Sequence, residues 1–169
     1  MMRMDSAPSS GTFSARFPRL DPDVATRLDG AAALGLPPLV SLTPAEARER
    51  VNAGTSTRAG ILNLAEANDL RIGPDGLPGR LYRPPYTMSD VVVVYFHGGG
   101  WVTGDLGYSD EICRLIAARA RCWVVSVDYR LAPENAFPAA IDDALQSVAW
   151  IASGGLGRPA RVVVAGDSA

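Results

Sequence analysis

Three short runs in the second half of the chain are almost continuously apolar and rich in β-branched residues: Val91-Val92-Val93-Val94-Tyr95-Phe96, Trp123 to Val127, and Arg161 to Ala165. A run without polar alternation predicts a strand covered on both faces, as in a mostly parallel sheet. Between the runs lie two amphipathic stretches. Ser109 to Ala120 puts Ile112, Leu115 and Ile116 on one helical face, and Pro138 to Ala152 puts Ile141, Leu145, Val148 and Ala152 on one face. The order strand, helix, strand, helix, strand predicts an α/β fold with crossover connections.

Upstream the pattern changes. Asn63 to Ile72 and Gly79 to Arg83 read as strands, and Gly73-Pro74-Asp75-Gly76 between them is turn chemistry suited to an antiparallel hairpin. Earlier still, two helix starts stand out. One is Asp21-Pro22; the other is Thr43-Pro44-Ala45-Glu46, where Thr43 caps, Pro44 takes the first helical position and Glu46 closes a capping box. Gly35 to Pro38 reads as a linker between them. With little apolar periodicity of their own, these helices are expected to lie across another element as a flap or cap. The expected organisation is a disordered tail at 1–20, N-terminal cap helices at 21–58 and an α/β core at 59–169.

Composition narrows the chemistry. With 47% hydrophobic residues in 169, there is material for one core. A net charge of -2 without any basic run argues against nucleic acid or an anionic membrane as partner. All 16 basic residues are arginine, so a lysine base or Schiff base is excluded within the chain. No 18-residue apolar run exists and the first 20 residues lack the apolar stretch of a leader, so no membrane span is expected and the expected location is cytoplasmic. Cys113 and Cys122 form neither a disulfide framework nor a metal-ligand spacing; both are expected to be buried thiols, and no metal site is expected.

Ligands of open α/β sheets bind beyond the carboxyl ends of the strands. The three buried runs end in His97-Gly98-Gly99-Gly100-Trp101, in Asp128-Tyr129-Arg130-Leu131-Ala132-Pro133-Glu134 and in Gly166-Asp167-Ser168-Ala169. A glycine triplet after a strand leaves N–H groups uncovered, which suits an oxyanion hole, although a plain loop has the same composition. A phosphate cradle fits poorly, since no G-K-[ST] or GxGxxG spacing follows. Gly166-Asp167-Ser168 suits the tight turn that lifts a nucleophilic serine above a sheet, although Asp-Ser is also an ordinary helix start.

Together HGGGW, DYRLAPE and GDSA resemble the hormone-sensitive-lipase-like family of α/β-hydrolase-fold esterases over roughly residues 40 to 169. The resemblance implies an α/β-hydrolase fold, cut short after the nucleophile strand, with N-terminal cap helices. It also implies hydrolysis of small carboxylic esters by a Ser-Asp/Glu-His triad, with no metal or organic cofactor. It makes Ser168 the nucleophile and gives the oxyanion hole to the N–H groups of Gly99, Gly100 and Ala169. His97 and Asp167 become supports of the loops rather than bases, and Asp128 is not the triad acid.

Arg130 and Glu134 are expected to brace the loops as structural ion-pairing residues. Asn135 departs from the family, which often has histidine there. The triad acid and histidine are expected beyond residue 169, so a chain ending there should be inactive alone and should expose Arg161 to Ala165 as an apolar edge. A non-catalytic small-molecule binder on the same scaffold and a fragment without function remain open alternatives.

Overall fold

The computed structural model describes residues 12–17, 19–55, 64–157 and 161–168. Most of the expected tail, Asn63 at the start of the first expected strand, and Ala169 lie outside these. The described residues pack as two units, divided between Ser41 and Leu42.

The first unit holds α1 (Phe13–Arg16), α2 (Pro22–Ala33) and a 3-10 turn at Leu39–Ser41. The α2 start is the one expected: the Asp21 side chain accepts from the Asp23 N–H at 2.9 Å and Pro22 opens the helix.

In the second unit come α3 (Pro44–Thr55), β1 (Glu66–Ile72), β2 (Leu77–Arg83), β3 (Val91–Phe96), α4 (Asp110–Ala120), β4 (Trp123–Val127), α5 (Ala139–Ala152) and β5 (Arg161–Gly166). The capping box of α3 forms in both directions. The Thr43 N–H donates to Glu46 Oε2 at 2.8 Å and the Glu46 N–H to Thr43 Oγ1 at 3.4 Å. The expected hairpin is present, with Glu66 opposite Arg83 and Ile72 opposite Leu77, although its second strand begins at Leu77 rather than Gly79.

The five strands lie in the order β1-β2-β4-β3-β5. The hairpin joins antiparallel through β2 and β4, while β3 runs parallel to both β4 and β5. Side chains of β3 alternate between two cores, as a period of two requires. Val92 and Val94 pack with Ile72, Val125, Val127 and Ile151 on the α5 side. Val93 and Tyr95 pack with Tyr82, Cys113, Ala117 and Val124 on the α4 side. β5 lies at one edge of the sheet and β1 at the other; Val163 and Val164 are exposed, so among the described residues β5 lacks the cover on both faces expected from its apolar run.

The inward faces of both core helices are shifted from those expected and keep only Ile116 of the α4 face and Val148 of the α5 face against the core. In α4 the buried residues are Cys113 and Ala117, with Ile116 against the same core, while Ile112 is exposed. In α5 they are Asp143, Ser147 and Ile151; Ile141 and Leu145 are exposed. The reason in α5 is polar pairing. Asp143 accepts the Arg130 N–H at 2.8 Å and its guanidinium at 2.7 Å, and Ser147 Oγ donates to the Asp143 carbonyl at 2.7 Å, so polar groups enter the core satisfied.

Both cysteines are buried and free, and burial pushes the Cys113 thiol up to about 12, which leaves it inert as a nucleophile. Among the described residues no helix is long and apolar enough to cross a membrane. Ile151 is fully buried against β1, β3 and β4. Ile151→Ala should cost about 2–5 kcal/mol in a urea titration, since it leaves a cavity between α5 and the sheet.

Candidate functional site

Strand register brings the three motifs level. Phe96 at the end of β3 pairs with Val127 at the end of β4 and with Gly166 at the end of β5. His97, Asp128 and Asp167 are therefore each the first residue beyond the sheet, on neighbouring strands about 4.8 Å apart. Because β3 is central to the three, the glycine loop leaves the sheet between the DYRLAPE segment and the serine.

The Asp167 carboxylate joins the loop to the serine strand. Its Oδ1 accepts the Gly98 N–H at 2.8 Å and the Tyr95 hydroxyl at 3.0 Å, while Oδ2 accepts the Tyr108 hydroxyl at 2.9 Å. Burial works against the charged form, but the donors from Tyr108, Gly98 and Tyr95 outweigh it and hold the carboxyl below its ordinary value. The approach is so close that a Cβ on Gly98 would meet Asp167 Oδ2 and Ser168 Cβ, each at 2.8 Å. Only glycine lets Ser168 sit against this stretch of backbone.

Past Gly98 the backbone turns through three consecutive positive φ angles: 132° at Gly99, 59° at Gly100 and 59° at Trp101. For Trp101 that conformation costs about 1–2 kcal/mol, so its surroundings must hold it. The Gly99 carbonyl accepts from the N–H of Val102 at 3.1 Å and of Thr103 at 3.0 Å, and the Ala132 N–H donates to the Trp101 carbonyl at 2.8 Å. A Cβ on Gly99 would come within 2.2 Å of the Thr103 carbonyl oxygen. Among the described residues, the N–H groups of Gly99 and Gly100 donate to no protein acceptor.

His97 is 1% exposed and its ring stacks on Tyr129 with centroids 4.3 Å apart. Its Nδ1 lies 2.9 Å from the Gly98 carbonyl, which can only accept, so Nδ1 carries the proton. Nε2 is buried without a partner among the described residues. The Tyr129 hydroxyl donates to the His97 carbonyl, tying the β4 end to the β3 end. Burial raises the Asp128 carboxyl above its ordinary value, although the nearby His97 offsets part of this.

Residues 93–169 match the family model described as the alpha/beta hydrolase fold. The chain has the α/β-hydrolase fold. The fold implied by HGGGW, DYRLAPE and GDSA is the one found. Over 105 residues the chain is 48% identical to the carboxylesterase NlhH of Mycobacterium tuberculosis, covering 58% of this chain and 33% of that protein. Over 163 residues it is 37% identical to the ethyl acetate hydrolase of Pseudomonas putida, covering 88% of this chain and 51% of that one. A solved arylesterase superposes with a TM-score of 0.76 at 30% identity, covering 87% of this chain and 49% of the other. An esterase of the archaeon Pyrobaculum calidifontis gives 0.68 at 35% identity, covering 76% and 44%. The chain thus spans about a third to a half of the length of these relatives.

Within the second unit the structure adds a residue that no sequence signal marked. Arg48, in α3, donates from Nε to the Val102 carbonyl at 2.8 Å and from Nη2 to the Ala132 carbonyl at 2.8 Å. Its other bonds form a fork on Glu134, 2.8 Å to Oε1 and 2.7 Å to Oε2. It grips the end of the glycine loop and the turn of DYRLAPE at once. Arg130 and Glu134 are both ion-paired, as expected, but to different partners: Arg130 to Asp143 and Glu134 to Arg48. Tyr95 and Tyr108 also went unmarked, since their roles depend on the fold bringing them to Asp167.

The Arg48 fork pulls the Glu134 carboxyl from 4.5 down to about 2. A carboxyl depressed in the folded state stabilises above its unfolded value and loses that contribution as pH falls through its folded one. The melting-temperature gap between wild type and Glu134→Gln should therefore be full above pH 4.5 and close as pH approaches 2. Because the pair is partly exposed, the gap should be small and should shrink in high salt.

Proposed function

We propose that the protein carrying this chain hydrolyses carboxylic esters through an acyl-enzyme on Ser168. The supporting observation is the placement of Ser168 against Gly98, one residue before two N–H groups that have no protein acceptor among the described residues. The similarity to proteins named carboxylesterase, ethyl acetate hydrolase and arylesterase supports the same class.

In this reading Ser168 Oγ attacks the ester carbonyl carbon while its proton passes to a histidine base. The carbonyl oxygen becomes an oxyanion held by the N–H groups of Gly99, Gly100 and Ala169. Each aligned donor lowers the barrier by about 3 kcal/mol, because it meets charge that exists only in the transition state. The C–O bond to the leaving alcohol then breaks, the alcohol takes the proton, and water releases the acid by the same route in reverse.

His97, the one histidine in the sequence, is buried with Nδ1 committed to its own loop, so it serves as a support. The base and its carboxylate partner are assigned to residues beyond 169. An apolar cavity of about 420 Å³ beside Gly100, lined in part by Trp101, Phe137, Pro138 and Ile141, suits the hydrocarbon part of a short ester.

In the protein carrying this chain, Ser168→Ala should lower hydrolysis of p-nitrophenyl butyrate about 10³-fold or more while leaving the circular dichroism spectrum unchanged. Undiminished turnover would remove Ser168 as nucleophile, and a wild type without turnover would favour a binding role. Gly99→Ala should lower kcat about 10²-fold or more, because the added Cβ drives the loop away from Thr103 and misaims the donors.

A further inference from the structure

The esterase reading, on which this inference rests, uses Ser168 and the glycine loop and leaves Tyr108 without a part. We infer that Tyr108 is a positioning residue: its hydroxyl fixes the rotation of the Asp167 carboxylate, and that carboxylate fixes the oxyanion loop through the Gly98 N–H.

A carboxylate on a short side chain turns easily about its last bond, where the torsional preference is broad. Two of the three donors to Asp167 meet the same oxygen and come from β3 and its continuation: Tyr95 and Gly98 at Oδ1. They set a point of contact but not the plane of the carboxylate. Among the described residues Tyr108 is the side chain that meets the other oxygen, and it comes from a different element, the turn before α4. With a donor on each oxygen the plane is set, and so is the direction in which Oδ1 faces Gly98. The bond is charge-assisted, since a phenol donates to a carboxylate held ionised.

Tyr108 is itself held firmly enough to act this way. Its N–H donates to Asp105 Oδ1 at 2.7 Å, and its ring stands edge-on to His97 with centroids 6.4 Å apart. His97 in turn stacks on Tyr129, so one aromatic column runs from Tyr108 under the glycine loop to the end of β4. Tyr108 also lines a cavity of about 290 Å³ with Tyr95, Ile112, Leu115 and Asp167, so a water can take the place of its hydroxyl at the carboxylate when that hydroxyl is removed. Water would replace the hydrogen bond but not the fixed direction.

The test is a double-mutant cycle on p-nitrophenyl butyrate in the protein carrying this chain, with Tyr108→Phe, Asp167→Asn and the pair. Tyr108→Phe should lower kcat about three- to tenfold with KM within about twofold. It should weaken a trifluoromethyl ketone inhibitor, which forms the oxyanion on the serine, by the same factor. In the Asp167→Asn background the Tyr108 change should add nothing further, because its effect passes through that carboxylate. A Tyr108→Phe enzyme with wild-type kcat, or an effect that persists in full beside Asp167→Asn, overturns the inference. Exchange of the Gly98 amide hydrogen, read by NMR, needs no turnover. Faster exchange in Tyr108→Phe supports the inference even if the wild type proves inert, in which case only the esterase reading fails; unchanged exchange overturns it.

Discussion

The Asp167 carboxylate sits where β5 leaves the sheet and takes hydrogen bonds from Tyr95, Gly98 and Tyr108, three residues that the fold brings from β3, its continuation and the turn before α4. A carboxylate withdrawn in part from water is costly unless donors meet it, and here, in the proposed reading, the donors belong to the loop that must be aligned. Satisfying the charge and aiming the loop are one event. If the loop moved, the Gly98 N–H and the charge would both lose their partners, so the alignment persists in the absence of any ligand.

The glycine loop is strained and is held from both sides. Three successive residues at positive φ, one of them Trp101, are fastened by the Gly99 carbonyl on the near side and by Ala132 and Arg48 on the far side. Arg48 does this from α3, gripping two carbonyls and a carboxylate with one rigid guanidinium. A lysine could not make that set of directed bonds, which fits a chain whose basic residues are all arginine. In the proposed reading, strain held in this way lets the N–H groups of the loop meet an oxyanion without reorganisation.

How much of this was legible in the sequence depends on distance along the chain. The strands β3 and β4 followed from runs of Val, because burial on both faces leaves no room for alternation; β5 followed from the same kind of run although two of its valines are exposed. The capping box of α3 and the hairpin turn were local chemistry, and both formed where the residues predicted. The inward faces of α4 and α5 were misread because hydropathy assigns Asp143 and Ser147 to the surface and Ile141 and Leu145 to the core. The partner that lets Asp143 be buried, Arg130, lies 13 residues away in another element. Arg48 was invisible for the same reason, since its partners lie 54 to 86 residues on. The three motifs were legible as motifs, and the register of β3 with β4 and β5 explains why they belong together.

The most direct measurement is a crystal structure of the protein carrying this chain after reaction with a phosphonate ester, which mimics the tetrahedral intermediate. The expected result is a bond from Ser168 Oγ to phosphorus, with the phosphoryl oxygen about 3 Å from the N–H groups of Gly99 and Gly100. The Gly98 N–H should remain on Asp167, as it is without a ligand. Phosphorus on another residue, or a phosphoryl oxygen turned away from the glycine loop, would contradict the view that the Asp167 carboxylate aims this loop at the serine.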